Sequence, residues 1–320
     1  MSIDSFEAAE ASQHDAAIAR LSSPDPAERQ LALMDLEDVA NDGTVEPLLA
    51  ALADPDPTVR RLAVGLLEEI GAPRSVAAVI PRLGDDDEGV RDAAGTALRS
   101  FRGDEAAAAM IAATTHESAV VRAGVIVGLR ELKDPRALSP LVRALRDESA
   151  EVRREAVITL AYLRSPDSVE ALRGAARDQD ANVRRVAVGA LGFFLSPVLL
   201  DDFVRSLSDA DWRVRAESAI VLGRSALSSA IPALRERLRD SFWQVQKEAI
   251  ASLGRLRASG VEAELVAFLG NEVADLRRAA AHALGDIGAV QARSALAKLA
   301  TDPDAEVRKA AARALETLAP

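Results

Sequence analysis

Apolar residues recur along the chain at helical spacing. Within the segment 58–70 they fall at Val59, Ala63, Leu67 and Ile70, the spacing of one face of an α-helix. A second stretch with the same spacing covers 75–83. Residues 56–57 read Asp-Pro, which places an N-cap and a first-turn proline just before the earlier stretch. The pattern therefore predicts a pair of amphipathic helices joined by short turns.

The helix pair recurs every 31 residues without an insertion or deletion. The residue eight positions after each repeat mark is leucine in all ten repeats, and the residue twenty positions after it is apolar in the nine repeats that reach it. Neither helix of so short a pair can bury its apolar face alone, so neighbouring repeats must stack. The ten marks are Glu28, Val59, Val90, Val121, Val152, Val183, Val214, Val245, Leu276 and Val307.

The spacing predicts an all-α protein built as an α-solenoid of about ten 31-residue repeats and about twenty helices. Residues 5–21 supply the first helix, and the repeats continue to the C-terminus, so we expect a single domain over residues 1–320. No apolar run is long enough to span a bilayer, and the acidic first fifteen residues lack a basic leader region. We expect a cytoplasmic protein that is monomeric by itself.

The segment DPDPTVRRLAVGLLEEIGAPRSVAAVIPRL, residues 54–83, resembles a HEAT repeat of the short bacterial type called phycobilisome-lyase HEAT-like. The resemblance recurs in all ten repeats and covers essentially the whole chain. It implies a right-handed α-solenoid whose second helices line the concave wall. Such solenoids serve as scaffolds, adaptors, chromophore-lyase subunits or nucleic-acid binders, so the resemblance alone does not choose a function.

Two charged columns accompany the leucine column. The residue five before the mark is aspartate in seven repeats, and the residue one after it is arginine in nine. We expect each arginine to bond the aspartate of the next repeat and free carbonyls at a helix end, forming a charge-assisted ladder. The column breaks at Gln246, in the repeat that contains Trp243.

Residues suited to catalysis are scarce. The chain has no cysteine, which excludes disulfides and thiolate metal sites, and it has no phosphate-binding glycine loop or nucleophile elbow. The three histidines are His14, His116 and His282, and the single His-Glu pair at 116–117 excludes the two-iron site of the related deoxyhypusine hydroxylase. We predict no cofactor, no metal and no enzymatic activity.

Function in a repeat protein is expected where the repeats differ on one surface. Positions −2, +2, +6 and +10 from the mark share one face of the second helix. The first four repeats place five acids and one arginine there, whereas the last six place eight bases and one acid. Aromatic residues with arginine are typical of protein interfaces. We therefore predict a site for an acidic partner protein in repeats 5–9, formed by Trp212, Trp243, Tyr162, Phe193, Arg154, Arg185, Arg224, Lys247, Arg255, Arg278 and His282.

Three alternatives stay open. The tryptophans would be local packing if each filled a gap in its own turn. An arginine-rich groove with aromatics also suits an accessory or lyase-like subunit that handles a tetrapyrrole or helps metal-cofactor assembly on a partner. Nucleic-acid binding is disfavoured, because the net charge is −11 and residues 1–115 carry 22 acids against 9 bases.

Overall fold

A computed structural model describes residues 3–194 and 196–319, and every regular element in these ranges is helical. The α-helices number twenty in the described part, which confirms the predicted all-α class. The chain divides into two compact units, residues 1–165 (unit 1) and 166–320 (unit 2). Each unit contains five helix pairs. Odd-numbered helices are the first helices of their pairs, and even-numbered helices are the second.

After the first pair, in which α1 is the longer helix, short first helices alternate with longer second helices in both units. In unit 1 the helices are α1 (Ile3–Arg20), α2 (Pro26–Leu36), α3 (Val45–Ala51), α4 (Pro57–Ile70), α5 (Val76–Val79), α6 (Glu88–Ser100), α7 (Asp104–Ala113), α8 (Ala119–Leu132), α9 (Leu138–Ala144) and α10 (Ala150–Leu163). In unit 2 they are α11 (Val169–Ala175), α12 (Ala181–Leu191), α13 (Leu200–Ser206), α14 (Trp212–Arg224), α15 (Ile231–Glu236), α16 (Trp243–Arg255), α17 (Glu262–Phe268), α18 (Ala274–Ile287), α19 (Arg293–Lys298) and α20 (Ala305–Thr317).

The recurring apolar columns form the core of each unit. Nine of the ten leucines eight positions after the mark are fully buried, and Leu315 in the last repeat is half-buried. The column twenty positions after the mark is buried throughout, including Met110 and Phe203. Full burial of one such side chain is worth about 1.5–3 kcal/mol. Nine of the ten repeats contribute both residues, so the leucine and apolar columns form the core that recurs along each unit.

Second helices approach closely within a unit because glycine follows the recurring leucine. A Cβ atom at Gly223 on α14 would lie 2.2 Å from the Ser252 hydroxyl of α16, and one at Gly254 would lie 2.8 Å from the Ala283 Cα of α18. No side chain fits at such distances without moving the helices apart. These glycines are therefore packing residues, and the second helices form a tightly packed layer in unit 2.

The first helices are shorter than the sequence predicts. The helix expected over 75–83 is α-helical over Val76–Val79 only and continues as a 3-10 helix from Ile80 to Gly84. Pro81 lies at this change and has no N–H group to donate to the preceding turn. The N-terminal end of the second helix agrees with the prediction, since the Asp56 side chain accepts a 3.0 Å hydrogen bond from the Val59 amide at the start of α4.

The predicted ladder between repeats is present in both units. In six of the repeats the arginine donates through Nε and Nη2 to both carboxylate oxygens of the aspartate 25 residues later, at 2.6–3.0 Å, and through Nη1 to two carbonyls of its own turn. The rungs with this geometry are Arg29–Asp54, Arg60–Asp85 and Arg122–Asp147 in unit 1, and Arg184–Asp209, Arg215–Asp240 and Arg277–Asp302 in unit 2.

The ladder aspartates are held in their charged form. Burial by itself raises the pKa of Asp209, but hydrogen bonds from Arg184 and from the Asp211 amide outweigh it and leave that pKa below its ordinary value. The pKa of Asp302 is also lowered, first by the hydrogen bond from Arg277. The rung after Arg215–Asp240 is missing. Gln246 stands there in place of the arginine, and its side-chain amide donates to the Asp240 carbonyl at 2.8 Å.

Candidate partner-binding site

The turn that opens α16 departs from the plan of its neighbours. Asp240 keeps the ladder role, accepting from Arg215 and from the Phe242 amide at 3.0 Å. The N-cap residue is Phe242, which has no oxygen to offer the first turn of the helix. The equivalent residue is aspartate or serine in eight of the ten repeats, and loss of such a cap costs about 1 kcal/mol. An exposed phenylalanine therefore replaces a stabilising cap.

Phe242 stacks on Trp212, the first residue of α14. The two ring centroids are 5.8 Å apart and the planes differ by 14°. The Arg213 guanidinium lies 4.7 Å from the Trp212 ring centre, and the guanidinium of the ladder residue Arg215 lies 5.6 Å from that of Phe242. Cations at these distances are attracted to the ring faces. Arg215 of the Arg215–Asp240 rung thus orients the Phe242 ring, and the stack on Phe242 orients Trp212.

Trp243 completes this group, which we call the aromatic cluster (Trp212, Phe242 and Trp243). Trp243 begins α16 and is 37% exposed, and Phe242 is 41% exposed. The Lys247 ammonium lies 5.8 Å from the Trp243 ring centre. Trp212 is half-buried in its stack. The cluster combines ordered rings with accessible apolar surface, the arrangement that interface anchors have.

The predicted basic residues of unit 2 differ in how far their charge is compensated. Among the described residues no carboxylate lies within ion-pair distance of Arg185, Arg224 or Arg255. Lys247 lies 3.2 Å from Glu248, and Arg278 pairs with Asp275 one turn earlier. His282 is exposed on α18. This face therefore keeps a positive surface, although two of its charges are partly neutralised.

Two acids that the sequence analysis missed lie beside this basic face. Glu217 and Glu248 occupy the position three after the mark, next to the column that supplies Arg185 and Lys247. Burial raises the pKa of Glu217 above its ordinary value, and the nearby charges of Arg185 and Arg224 oppose that rise. The missing side chain of Gly189 on α12 leaves room for the Glu217 carboxylate. The signal in the sequence was weak, because this position is glutamate in only three of the ten repeats, at residues 155, 217 and 248.

Arg154 and Tyr162 belong to unit 1. Arg154 is part of an acidic–basic group on α10, donating to Glu155 at 2.7 Å. Tyr162 is 53% exposed, and the Arg130 guanidinium of α8 lies 5.5 Å from its ring centre. The same Arg130 pairs with Glu155, so this end of unit 1 has its own arginine–aromatic surface.

The aromatic residues of unit 2 occur at two ends of the second helices. Trp212 and Trp243 begin α14 and α16, whereas Phe193 lies just beyond the end of α12, and Arg224 and Arg255 end their helices. Twelve residues of α-helix span about 18 Å, so the two ends are separate contact points on one face. The structure brings Trp212 and Trp243 to the same end, and it adds Phe242.

The described residues offer no constellation for metal chemistry. They contain no group of three or more His, Asp or Glu side chains that would hold a metal ion. His116 takes the place of a ladder aspartate, and its Nδ1 accepts a 3.1 Å hydrogen bond from the Ser118 amide. Among the described residues, no helix combines the length and the apolar character that crossing a bilayer requires.

Several solved structures are similar to this chain at low sequence identity. An engineered protein matches over 96% of this chain and 98% of its own, with 23% identity and a TM-score of 0.52. The Escherichia coli protein YIBA_ECOLI matches over 83% of this chain and 97% of its own, with 20% identity and a TM-score of 0.56. Kap95p in its complex with RanGDP matches over 99% of this chain, with 15% identity and a TM-score of 0.68.

This chain spans half the length of Kap95p, so that similarity concerns the fold alone. No curated protein matches the chain in sequence. The family model for HEAT repeats matches it in six overlapping segments, residues 15–99, 76–150, 106–192, 138–223, 174–242 and 231–316. These segments cover most of the chain and coincide with the stacked helix pairs. The protein belongs to the HEAT-repeat family and has its α-solenoid fold.

Proposed function

We propose that this protein is a non-enzymatic scaffold or adaptor, and that it binds a partner protein on the second-helix face of unit 2. The observation that carries the proposal is the turn that opens α16. There a stabilising N-cap is given up for Phe242, whose ring is ordered by Trp212 and left accessible beside Trp243. The aspartate or serine that eight of the ten repeats have at this position is replaced by an aromatic ring that contacts another repeat.

The charges around the cluster indicate the kind of partner. Arg185, Arg224 and Arg255 have no carboxylate in ion-pair distance among the described residues, and Lys247, Arg278 and His282 lie on the same face. A partner segment with acidic side chains beside one or two apolar residues would match them, because the apolar groups bury the rings while the acids pair with arginine. On unit 1, Arg154 and Tyr162 would provide a further contact.

Kap95p forms complexes with RanGDP and with Nup1, so one protein of similar fold binds protein partners. We extend that kind of activity to this chain, without extending those partners to it. We also propose that the chain is a bacterial cytoplasmic protein of the phycobilisome-lyase-like subtype and is monomeric by itself. The repeat length of 31 residues supports the proposed subtype.

Partner capture with paired variants tests the proposed function. Wild-type protein and Trp243→Ala are used as baits, with Val290→Ala as the control for removing an exposed apolar group elsewhere in unit 2. We expect wild type and Val290→Ala to retain the same partner, and Trp243→Ala to bind the purified partner at least about tenfold more weakly. Equal binding by all three proteins would contradict the proposal.

A second candidate is an accessory or lyase-like subunit that handles a tetrapyrrole or helps metal-cofactor assembly on a partner. The near-parallel stack of Trp212 and Phe242 favours it, because a flat macrocycle can extend such a stack and the flanking cations can pair with its propionates. Titration with biliverdin distinguishes the two functions. A saturable change in visible absorption that Trp243→Ala abolishes would favour this candidate over the scaffold.

A further inference from the structure

A second charged group of unit 2 lies on the layer of first helices. Asp202 on α13 is only 4% exposed, and three arginines converge on its carboxylate. Arg173 Nε donates to Oδ2 at 2.7 Å, Arg177 Nη2 to Oδ1 at 3.2 Å, and Arg205 Nη1 to Oδ1 at 3.1 Å. A single buried acid thus fixes the directions of three guanidinium groups.

These groups border a small hollow of about 150 Å³. Arg177 and Arg205 form part of its wall, together with Arg184, Ser206 and the ladder residue Asp209. Arg177 and Arg205 are 55% and 58% exposed, so most of their donors remain available after the bond to Asp202. The hollow is therefore lined by oriented N–H donors of Arg177 and Arg205, whose positions do not depend on a ligand, and by the carboxylates of Asp202 and Asp209, which already accept from arginine.

The local charge is positive. Four guanidinium groups, those of residues 173, 177, 184 and 205, are grouped with the carboxylates of Asp202, Asp209 and Glu170. Arg184 is satisfied by Asp209, and Glu170 pairs with Arg173 at the outside. The uncompensated charge lies on Arg177, in the turn after α11, and on Arg205 of α13, which both line the hollow.

The group is not part of the repeat. One repeat earlier, the positions of Asp202 and Arg205 hold Ala171 and Gly174, and one repeat later they hold Ala233 and Glu236. Two repeats later the chain rebuilds only half of it. There Arg235 pairs with Glu264, Arg239 matches Arg177, and Ala267 stands where Arg205 would be. A buried acid that orients paired arginines at a single repeat exceeds what stacking requires.

We propose that this hollow binds a small oxyanion of the phosphate class, with Arg177 and Arg205 as its direct ligands and Asp202 as the residue that positions them. A planar guanidinium fork suits a phosphate oxygen pair, and two forks held from different segments, the turn after α11 and helix α13, suit a tetrahedral anion better than a single carboxylate. The site is separate from the proposed partner surface and depends on neither Phe242 nor Trp243.

Calorimetric titration with inorganic phosphate at constant ionic strength tests the site. We expect saturable one-site binding in the millimolar range for wild type, and about tenfold or greater weakening in Arg177→Gln and in Arg205→Gln. Arg239→Gln is the matched control, because it removes the equivalent arginine of the incomplete group. Repetition with O-phosphoserine distinguishes the source of the phosphate, since equal affinity indicates that the hollow accepts a phosphate monoester and weaker affinity indicates free phosphate.

Absence of saturable binding in wild type up to about 20 mM phosphate would overturn the proposal. So would equal weakening in Arg239→Gln, which would reveal general charge attraction. Circular dichroism and melting curves establish that each variant is folded, and Arg177→Lys serves as a milder change if Arg177→Gln is unstable. Because the partner-capture experiment uses Trp243→Ala, its failure and the failure of phosphate binding are independent results.

Discussion

The turns that open α14 and α16 share their first aspartate and their tryptophan and differ at the two positions between, of which the cap position matters here. Residues 209–212 read DADW and residues 240–243 read DSFW, and in both the first aspartate accepts a ladder arginine. In the first turn Asp211 caps the helix, accepting from the Arg213 amide at 2.7 Å. In the second, Phe242 occupies the cap position and stacks outward on Trp212.

The comparison separates two kinds of position within one repeat. The ladder aspartate cannot vary freely, because a buried arginine depends on it from the preceding repeat. The cap residue acts only on its own helix, so its loss costs about 1 kcal/mol and the fold tolerates it. Surface properties can therefore change at the cap without disturbing the stacking, and in this protein the aromatic cluster occurs there.

Acidification is expected to have the largest effect, because it acts on every rung at once. The pKa values of Asp147, Asp209 and Asp240 lie below the ordinary value although burial alone would raise them, since arginine and backbone N–H groups bond the charged form. A lowered folded-state pKa stabilises the folded protein at pH values above the unfolded-state pKa of about 3.9. This stabilisation is lost as the pH falls through the folded-state pKa. Melting temperature should be steady from about pH 7 to 5 and fall steeply below about pH 4. A flat profile down to pH 3 would contradict the role of the ladder.

Removal of one rung should be the next largest effect. Asp240→Ala leaves Arg215 largely buried without its carboxylate, and uncompensated buried charges of this kind cost about 3 kcal/mol or more. Asn271→Ala is the matched control. The residue 25 positions before Asn271 is Gln246 instead of arginine, so this variant has no rung to lose. Urea unfolding of both variants measures the difference. Similar free energies of unfolding for the two would show that the rungs do not stabilise the stack.

Exchange of the cap residue separates stability from binding. Val273→Asp restores a cap at α18, where no aromatic cluster exists, and should raise the free energy of unfolding by about 1 kcal/mol without changing partner binding. Phe242→Asp restores the cap of α16 but removes the stack on Trp212, so its stability should change by less than about 1 kcal/mol while partner binding is lost. Large destabilisation by Phe242→Asp would indicate that the cluster is packing.

Reconstruction of the missing rung should give the smallest effect. The double variant Gln246→Arg with Asn271→Asp supplies the two residues that form rungs elsewhere. We expect the free energy of unfolding to rise by about 0.5–1 kcal/mol, because the cost of desolvating a part-exposed ion pair offsets much of its electrostatic attraction. The single variants should give less than the double, since each lacks its partner. A double-mutant cycle followed by thermal unfolding measures the coupling, and additive single effects would show that no rung forms.

Most of the fold could be predicted from the sequence because the repeat averages ten local signals. The leucine column, Asp56 as a cap and the arginine–aspartate ladder all follow from spacing, and each is confirmed. The lengths of the first helices were harder to predict. Prolines such as Pro81 change the last turn to 3-10 geometry, and the local free energies of the two kinds of helical turn are similar in size.

The candidate site was accessible only in part. Residues at a repeated offset share a face, which indicated Trp212 and Trp243 correctly as a pair at one end of the second helices. The same reasoning could not give the direction of a side chain at a helix end, so it passed over Phe242 and the acids Glu217 and Glu248. These depend on contacts between residues in different helices, about one repeat apart.

The sequence by itself determined the helix pairs, their period, the buried columns and the partners of the ladder, because each is fixed by spacing along the chain and by residue type. Only the tertiary structure decided that Phe242 stacks on Trp212 and that three arginines converge on Asp202. It also decided that Glu217 is partly buried near Arg185 and Arg224. The physical reason is that a repeat dictates which helices pack together, whereas the contacts of irregular side chains depend on distances across the packed layers.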